Sequence, residues 1–296
     1  MRDLVVYGLG ELGQLYGAAA LRAGIRVTPI TRAEDPKRVL RDFAPEVPIL
    51  VAVGECDLEH VLCELGPARG QATILLQNEL FPSAWRRHEI QPTVLVPWLL
   101  KKRGTPLLVA RPTPVFGLQA ELVVTLHRAL DLPVVSLRDE PALHQALVDK
   151  YAFILTINAL GLLRDRTLGM WLQEDPLRVD ALANEAAQLG AVLCQQAADS
   201  SRASKGVEAP AQARGPALGS RDEQRETLLA SSAPGRADVD LAISVGAVVE
   251  AMRALSVVGA RGRTASARVA RAREHGERLG LELPELARVA EQAKRA

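Results

Sequence analysis

Short apolar, β-branched runs alternate with amphipathic stretches from Leu4 to about Leu137. That rhythm predicts β-α-β units and a parallel sheet. Candidate strands are Leu4–Tyr7, Arg26–Ile30, Ile49–Val53, Thr73–Gln77, Val94–Trp98, Leu107–Ala110 and Val134–Leu137. Helices fit between them: Leu12–Ala23 stopped by Gly24, Asp57–Glu64 stopped by Gly66, and Leu118–Ala129. Pro29 lacks a ladder donor, so the second strand is expected to fray before Thr31.

Beyond Asp139 helical spacing takes over, at about 141–164, 176–194, 238–257, 264–279 and 284–295. The helix after Asp175 and Pro176 has an N-cap, a proline at N1, and a stripe of Val179, Leu182, Ala186, Leu189 and Leu193. Residues 199–225 are rich in Ala, Ser, Gly, Pro and charge, and are expected to form a disordered insertion. The fold class that emerges is an α/β domain of Rossmann type over 1–139, followed by an all-α domain over 140–296.

Charge narrows the partners. The 296 residues carry 36 Lys and Arg against 35 Asp and Glu, a net +1, which argues against nucleic acid and charged membrane surfaces. With only three Trp, three Tyr and four Phe, base-stacking platforms are poorly supplied and the core must be aliphatic. Cys56 and Cys63 fall about 10 Å apart along one helix and Cys194 is remote, so no disulfide framework is expected. The chain enters a strand directly, with no leader pattern and no apolar run of about 20 residues, so a cytoplasmic protein is expected. A homodimer is compatible with the sequence, which does not fix the oligomeric state.

Gly8-Leu9-Gly10-Glu11-Leu12-Gly13 follows the first strand and opens the first helix, the setting of a dinucleotide fingerprint. Gly8 suits the tight turn, Gly10 lets backbone N–H groups approach a pyrophosphate, and Gly13 lets helix and strand pack closely. The end of the second strand reads Thr31-Arg32, where a basic side chain accommodates a 2′-phosphate, so NADPH is the expected cofactor. Asn78 lies past the C-terminal end of a strand, where ligands of open α/β sheets gather. Lys150 opens a long apolar run in which Asn158 is an isolated amide that needs partners when buried. An ammonium there can stabilise and then protonate a developing alkoxide. The five histidines stand apart, so no metal site is expected; Lys101-Lys102-Arg103-Gly104 reads as a solvated hairpin connection.

The opening Val5-Val6-Tyr7-Gly8-Leu9-Gly10-Glu11-Leu12-Gly13-Gln14-Leu15-Tyr16, then Leu75-Leu76-Gln77-Asn78, then the run from Lys150 to Leu160 resemble the ketopantoate reductases (2-dehydropantoate 2-reductases). The resemblance implies a 2-keto acid reduced to a 2-hydroxy acid in an NADPH cleft between two domains. It implies Lys150 as proton donor, Asn158 on the substrate, and Arg32, Asn78 and the glycine loop on the cofactor. There are departures. Glu79 replaces the glycine that usually follows the asparagine, Ile154 replaces an asparagine, and Gly54 stands where a cofactor lysine is usual. The family's late carboxylate is lost if Gly262-Arg263-Thr264-Ala265-Ser266-Ala267 is its register, the favoured one, with Ala254 for a substrate serine. It is shortened to Asp238 if the register is Gly235-Arg236-Ala237-Asp238. A cofactor-binding protein of the same fold with little or no reductase activity is therefore the alternative reading.

Overall fold

The structure is a computed structural model and describes residues 2–101, 104–205, 239–260, 262 and 264–295. Strands β1 (Asp3–Tyr7), β2 (Arg26–Ile30), β3 (Ile49–Val51), β4 (Thr73–Leu75), β5 (Thr93–Leu95), β8 (Thr113–Phe116) and β9 (Val134–Ser136) form one sheet in the order β2-β1-β3-β4-β5-β8-β9. The first five run parallel, as their continuous Val, Ile and Leu composition demands of strands covered on both faces. The order doubles back between β1 and β3, so the C-terminal ends of those strands flank a crevice.

Two features depart from the expected parallel sheet. Strand β8 is antiparallel to β5, and the alternation pattern passed over it because Pro114 and the following Gly117 read as a turn. The expected strand near Leu107–Ala110 instead forms a separate hairpin, β6 (Leu99–Leu100) with β7 (Leu108–Val109), joined through the basic segment. Lys102 and Arg103 lie outside the described residues. Pro29 sits on the edge strand β2, where its missing donor faces outward, and the strand ends at Ile30.

Helices α1 (Glu11–Arg22), α2 (Pro36–Leu40), α3 (Glu55–Leu65), α4 (Pro82–Arg86) and α5 (Ala120–Arg128) accompany the sheet. Gly24 and Gly66, at φ 74° and 59°, end α1 and α3 as the sequence suggests. From Glu140 the elements are helical: α6 (Glu140–Leu163), α7 (Leu168–Glu174), α8 (Pro176–Lys205), α9 (Leu241–Ala254), α10 (Ala265–Leu279) and α11 (Pro284–Arg295). Helix α7 is short and had no clear periodic signal. Helix α8 runs to Lys205, so the first seven residues of the expected disordered segment 199–225 continue a helix. The charged, alanine-rich stretch keeps the helix going after its apolar stripe ends. The remainder of that segment, and the 235–238 register, lie outside the described residues.

Helix α6 is apolar on nearly every face and is the axis on which α8, α9, α10 and α11 pack. It has the length and composition of a membrane span, yet most of its apolar stretch is buried inside this helical layer. Helix α11 is docked by Glu185 of α8, whose carboxylate accepts the N–H groups of Glu285 and Leu286 at 2.8 and 2.9 Å. These are donors left orphaned by the start of a helix, and the acceptor is 8% exposed. Glu185→Ala should cost about 1–3 kcal/mol and lower the thermal midpoint by several degrees. A calorimetric scan that shows an unchanged midpoint would exclude this docking role.

Candidate active site

Two cavities flank the sheet's C-terminal ends. The larger, about 920 Å³, is lined by Gly8, Leu9 and Gly10, by Thr31, Arg32 and Glu34 after β2, and by Gly54, Cys56 and Asp57 at the start of α3. Gly8 has φ 94°, and a Cβ there would stand 2.8 Å from the Ala52 carbonyl oxygen. At Gly13 it would stand 2.0 Å from the Gly8 carbonyl oxygen. Gly10 is different: a Cβ there meets no protein atom within 4 Å, and no side chain caps the N-terminus of α1. The space beside it is open, and the uncapped N–H groups with their helix dipole are suited to a phosphate. The loop therefore fits a dinucleotide. Glu11 and Leu12 begin the helix and do not line this cavity.

Arg32 extends into solvent, its side chain 95% exposed, with Asp57 3.5 Å away. Glu34 folds back onto the backbone N–H of Thr31 at 2.7 Å and onto its hydroxyl, which holds the Glu34 pKa below the usual carboxylate range. The turn after β2 thus presents an exposed cation loosely paired with Asp57 and a carboxylate occupied by Thr31.

The smaller cavity, about 190 Å³, brings together Asn78, Lys150 and Asn158, which are up to 80 residues apart in sequence. Its walls are Trp98, Phe153, Ile154, Ile157, Leu168, Leu255 and Val258. Lys150 is in the middle of α6, not at a helix start, and is 5% exposed, so it has no route to bulk water by snorkelling. Its Nζ lies 5.1 and 5.6 Å from the ring centres of Trp98 and Phe153, and no carboxylate among the described residues is within ion-pair distance. Burial, and then the positive charge of Arg268, pull its pKa down to about 7. The neighbouring Asp149 faces another way: Ser244 and Gln145 each donate to it at 2.7 Å, and Arg111 lies 3.8 Å off. Burial nevertheless leaves its pKa raised. Arg111 also lies over Trp98 at 5.0 Å, fixing the ring that faces Lys150.

Asn158 donates to the Ile154 carbonyl at 2.5 Å, while its Oδ1 is buried with no protein partner among the described residues. Gly262 lies so close that a Cβ there would be 2.4 Å from that oxygen. The favoured register thus places Gly262 in the cavity wall, while Ala254 is not part of it.

Sequence reading missed Arg268. It lies on the buried face of α10 with Ala265, Val269, Ala272 and Gly276, where a charged residue at helical spacing was the available signal. It reaches into the smaller cavity at 6% exposure. Its Nε pairs with Glu79 and its Nη2 with Glu55 at 3.1 Å, while Arg271 holds the same Glu79 at 2.7 and 3.0 Å. The unusual Glu79 therefore ties the β4 loop to α10. Since Gly54 and Cys56 line the larger cavity, Glu55 between them joins the two cavities through Arg268.

No protein-family model matches the sequence, and no curated protein matches it significantly. Solved structures do. D-mandelate dehydrogenase with NADH and anilino(oxo)acetate is 12% identical at a TM-score of 0.61, covering 99% of this chain and 98% of that one. The 2-dehydropantoate 2-reductase from Methylococcus capsulatus is 15% identical at 0.55, covering 99% and 96%. That from Porphyromonas gingivalis W83 is 17% identical at 0.54, covering 98% of each. This chain has the ketopantoate reductase fold. The likeness spans the whole chain, so the α/β half and the helical half both belong to that fold.

An unpaired ammonium inside an apolar wall burdens the folded state of a ketopantoate reductase fold in a pH-dependent way. Below about 7, Lys150 is protonated folded and unfolded, and the whole cost is present. Between about 7 and 10.5 the unfolded chain binds the extra proton, so stability rises with pH and the cost fades. Lys150→Met should therefore raise the thermal midpoint at pH 6 by several degrees, with the gain shrinking towards pH 10. Equal midpoints at pH 6 would show that the ammonium is solvated.

Proposed function

We propose that the protein reduces a 2-keto acid to the corresponding 2-hydroxy acid with NADPH. The observation that carries this reading is the buried, counterion-free Lys150 in one cavity with the unpartnered Oδ1 of Asn158. When bound, the nicotinamide cofactor supplies the hydride. The glycine loop and the open N-terminus of α1 bind its pyrophosphate, Arg32 the 2′-phosphate, and Asn78 the end nearest the reaction. Lys150 lies against the substrate carbonyl oxygen, stabilises the charge that grows there, and delivers its proton to it. A pKa near 7 makes that ammonium a far better acid than an ordinary lysine. Asn158 can accept through Oδ1 from the hydroxyl of the 2-hydroxy acid or of a substrate side chain that carries one, and the surrounding aliphatic wall excludes water.

The 2-dehydropantoate named for several proteins of this fold is one candidate substrate, which would place the reaction in pantothenate biosynthesis. The wall of Phe153, Ile154, Ile157, Leu168, Leu255 and Val258 favours a keto acid with a mainly apolar side chain, because polar groups beyond the reach of Asn78 and Asn158 would lose their hydrogen bonds there. D-mandelate dehydrogenase, of this fold, is solved with NADH and anilino(oxo)acetate, an oxo acid that carries an aromatic group. Free cysteines and a near-neutral net charge suit a cytoplasmic enzyme.

Oxidation of NADPH with a panel of 2-keto acids tests the reading. Turnover should fall as pH rises through about 7, because only protonated Lys150 can act as acid. Lys150→Ala should lower kcat by about 100-fold or more, and Lys150→Arg should also be slow, since a guanidinium does not release its proton. A flat panel would leave a cofactor-binding protein without reductase activity, whereas variants within about twofold of wild type would remove Lys150 from the role of proton donor. For the cofactor, Arg32→Ala should remove a preference for NADPH over NADH of about 10- to 100-fold, the worth of a charge-assisted contact. Equal wild-type affinities in a fluorescence titration would contradict the role of Arg32.

A further inference from the structure

Lys150 and Arg268 are the two cations among the described residues of the smaller cavity, and no carboxylate lines it. Lys150 is committed to the carbonyl oxygen, and one ammonium between two aromatic rings does not also provide a planar two-toothed site for a carboxylate. Arg268 does. Its Nε and one hydrogen of Nη2 are held by Glu79 and Glu55, which leaves Nη1 and the second hydrogen of Nη2, the pair that a carboxylate takes end-on, without a partner among the described residues. Arg271 takes the remaining capacity of Glu79, so the two arginines and two glutamates balance and Arg268 is fixed in one orientation. A pre-oriented, partly desolvated guanidinium fork is the side chain best suited to a carboxylate.

We propose that Arg268 is the specificity-determining residue of the site, anchoring the carboxylate of the substrate while Glu79 and Glu55 position its guanidinium. The inference rests on the 2-keto acid reading, since it assigns the acid group of that substrate. It also explains how the site admits an anion next to Lys150. Once the carboxylate is seated on Arg268, the repulsion between the two cations is relieved. The carbonyl, one bond away, is then directed towards Nζ. A neutral ketone of the same shape gains neither effect and is discriminated against.

The test separates charge recognition from turnover. N-isobutyloxamate, an unreactive isostere of an apolar 2-keto acid, and the neutral N-isobutyloxamide are titrated into the full-length protein by calorimetry, with and without NADPH. Wild type should bind the acid about 30-fold or more tightly than the amide, the scale of a bidentate charged contact. Arg268→Met should collapse that ratio to within about threefold with the amide affinity little changed, and Arg268→Lys should keep the charge but lose about fivefold or more for the acid. Arg268→Lys guards against a folding defect, because it keeps the positive charge beside Glu79. An undiminished ratio in Arg268→Met, a lysine variant that binds the acid like wild type, or a wild type that does not tell acid from amide would each overturn the proposal. Discriminating binding that depends on Arg268 in a protein that reduces no keto acid would instead sink the reductase reading and leave the anchor standing.

Discussion

The rest of the site depends on one cost: an ammonium buried in α6 with aromatic faces around it and, among the described residues, no carboxylate beside it. Placing Lys150 there spends stability that the aliphatic packing of α6 against four other helices offsets. The return is chemical. Desolvation and the nearby Arg268 lower the ammonium's hold on its proton to about the level at which proton transfer works at neutral pH. Paired with a carboxylate, the same lysine would be more stable and less acidic.

The second constraint is the ionic tie across the two halves of the chain. Glu79 follows Asn78 at the end of β4, Glu55 opens α3, and both meet arginines of α10. A mostly buried tie of this kind adds little net stability, because desolvation offsets the attraction, but it fixes geometry. It holds the loop that carries Asn78 against the helix that carries Arg268, and so fixes the shape of the small cavity. Where the ketopantoate reductases usually have glycine after the asparagine, this chain brings a carboxylate in from the sheet side and faces it with cations from the helical side.

The glycine loop obeys a different rule, in which space matters more than attraction. Gly8 and Gly13 are glycines because the protein's own backbone fills the room of a side chain, whereas Gly10 leaves room that nothing in the chain occupies. That contrast distinguishes a glycine required by packing from one that leaves the N-terminus of α1 accessible from the larger cavity.

Local pattern determined strands β1 to β5 and β9, helices α1, α3 and α5, the change to helices after Asp139, the stops at Gly24 and Gly66, and the glycine loop. Each of these is written within a few residues, as an apolar run, a cap or a turn, whereas the five-residue helices α2 and α4 were too short to show a period. The single residues Lys150, Asn158 and Asn78 also stood out, because a polar group in an apolar run, or just past a strand end, is conspicuous in sequence. Strand β8 was hidden, since Pro114 and Gly117 mimic a turn and its pairing with β5 is settled only by the sheet. The roles of Glu79, Glu55 and Arg268 were decided by tertiary structure alone. Their pairing joins residues 189 and 213 positions apart, and no local propensity encodes which charge meets which across a cleft. The same holds for the acidity of Lys150, which belongs less to the lysine than to the walls that folding brings around it.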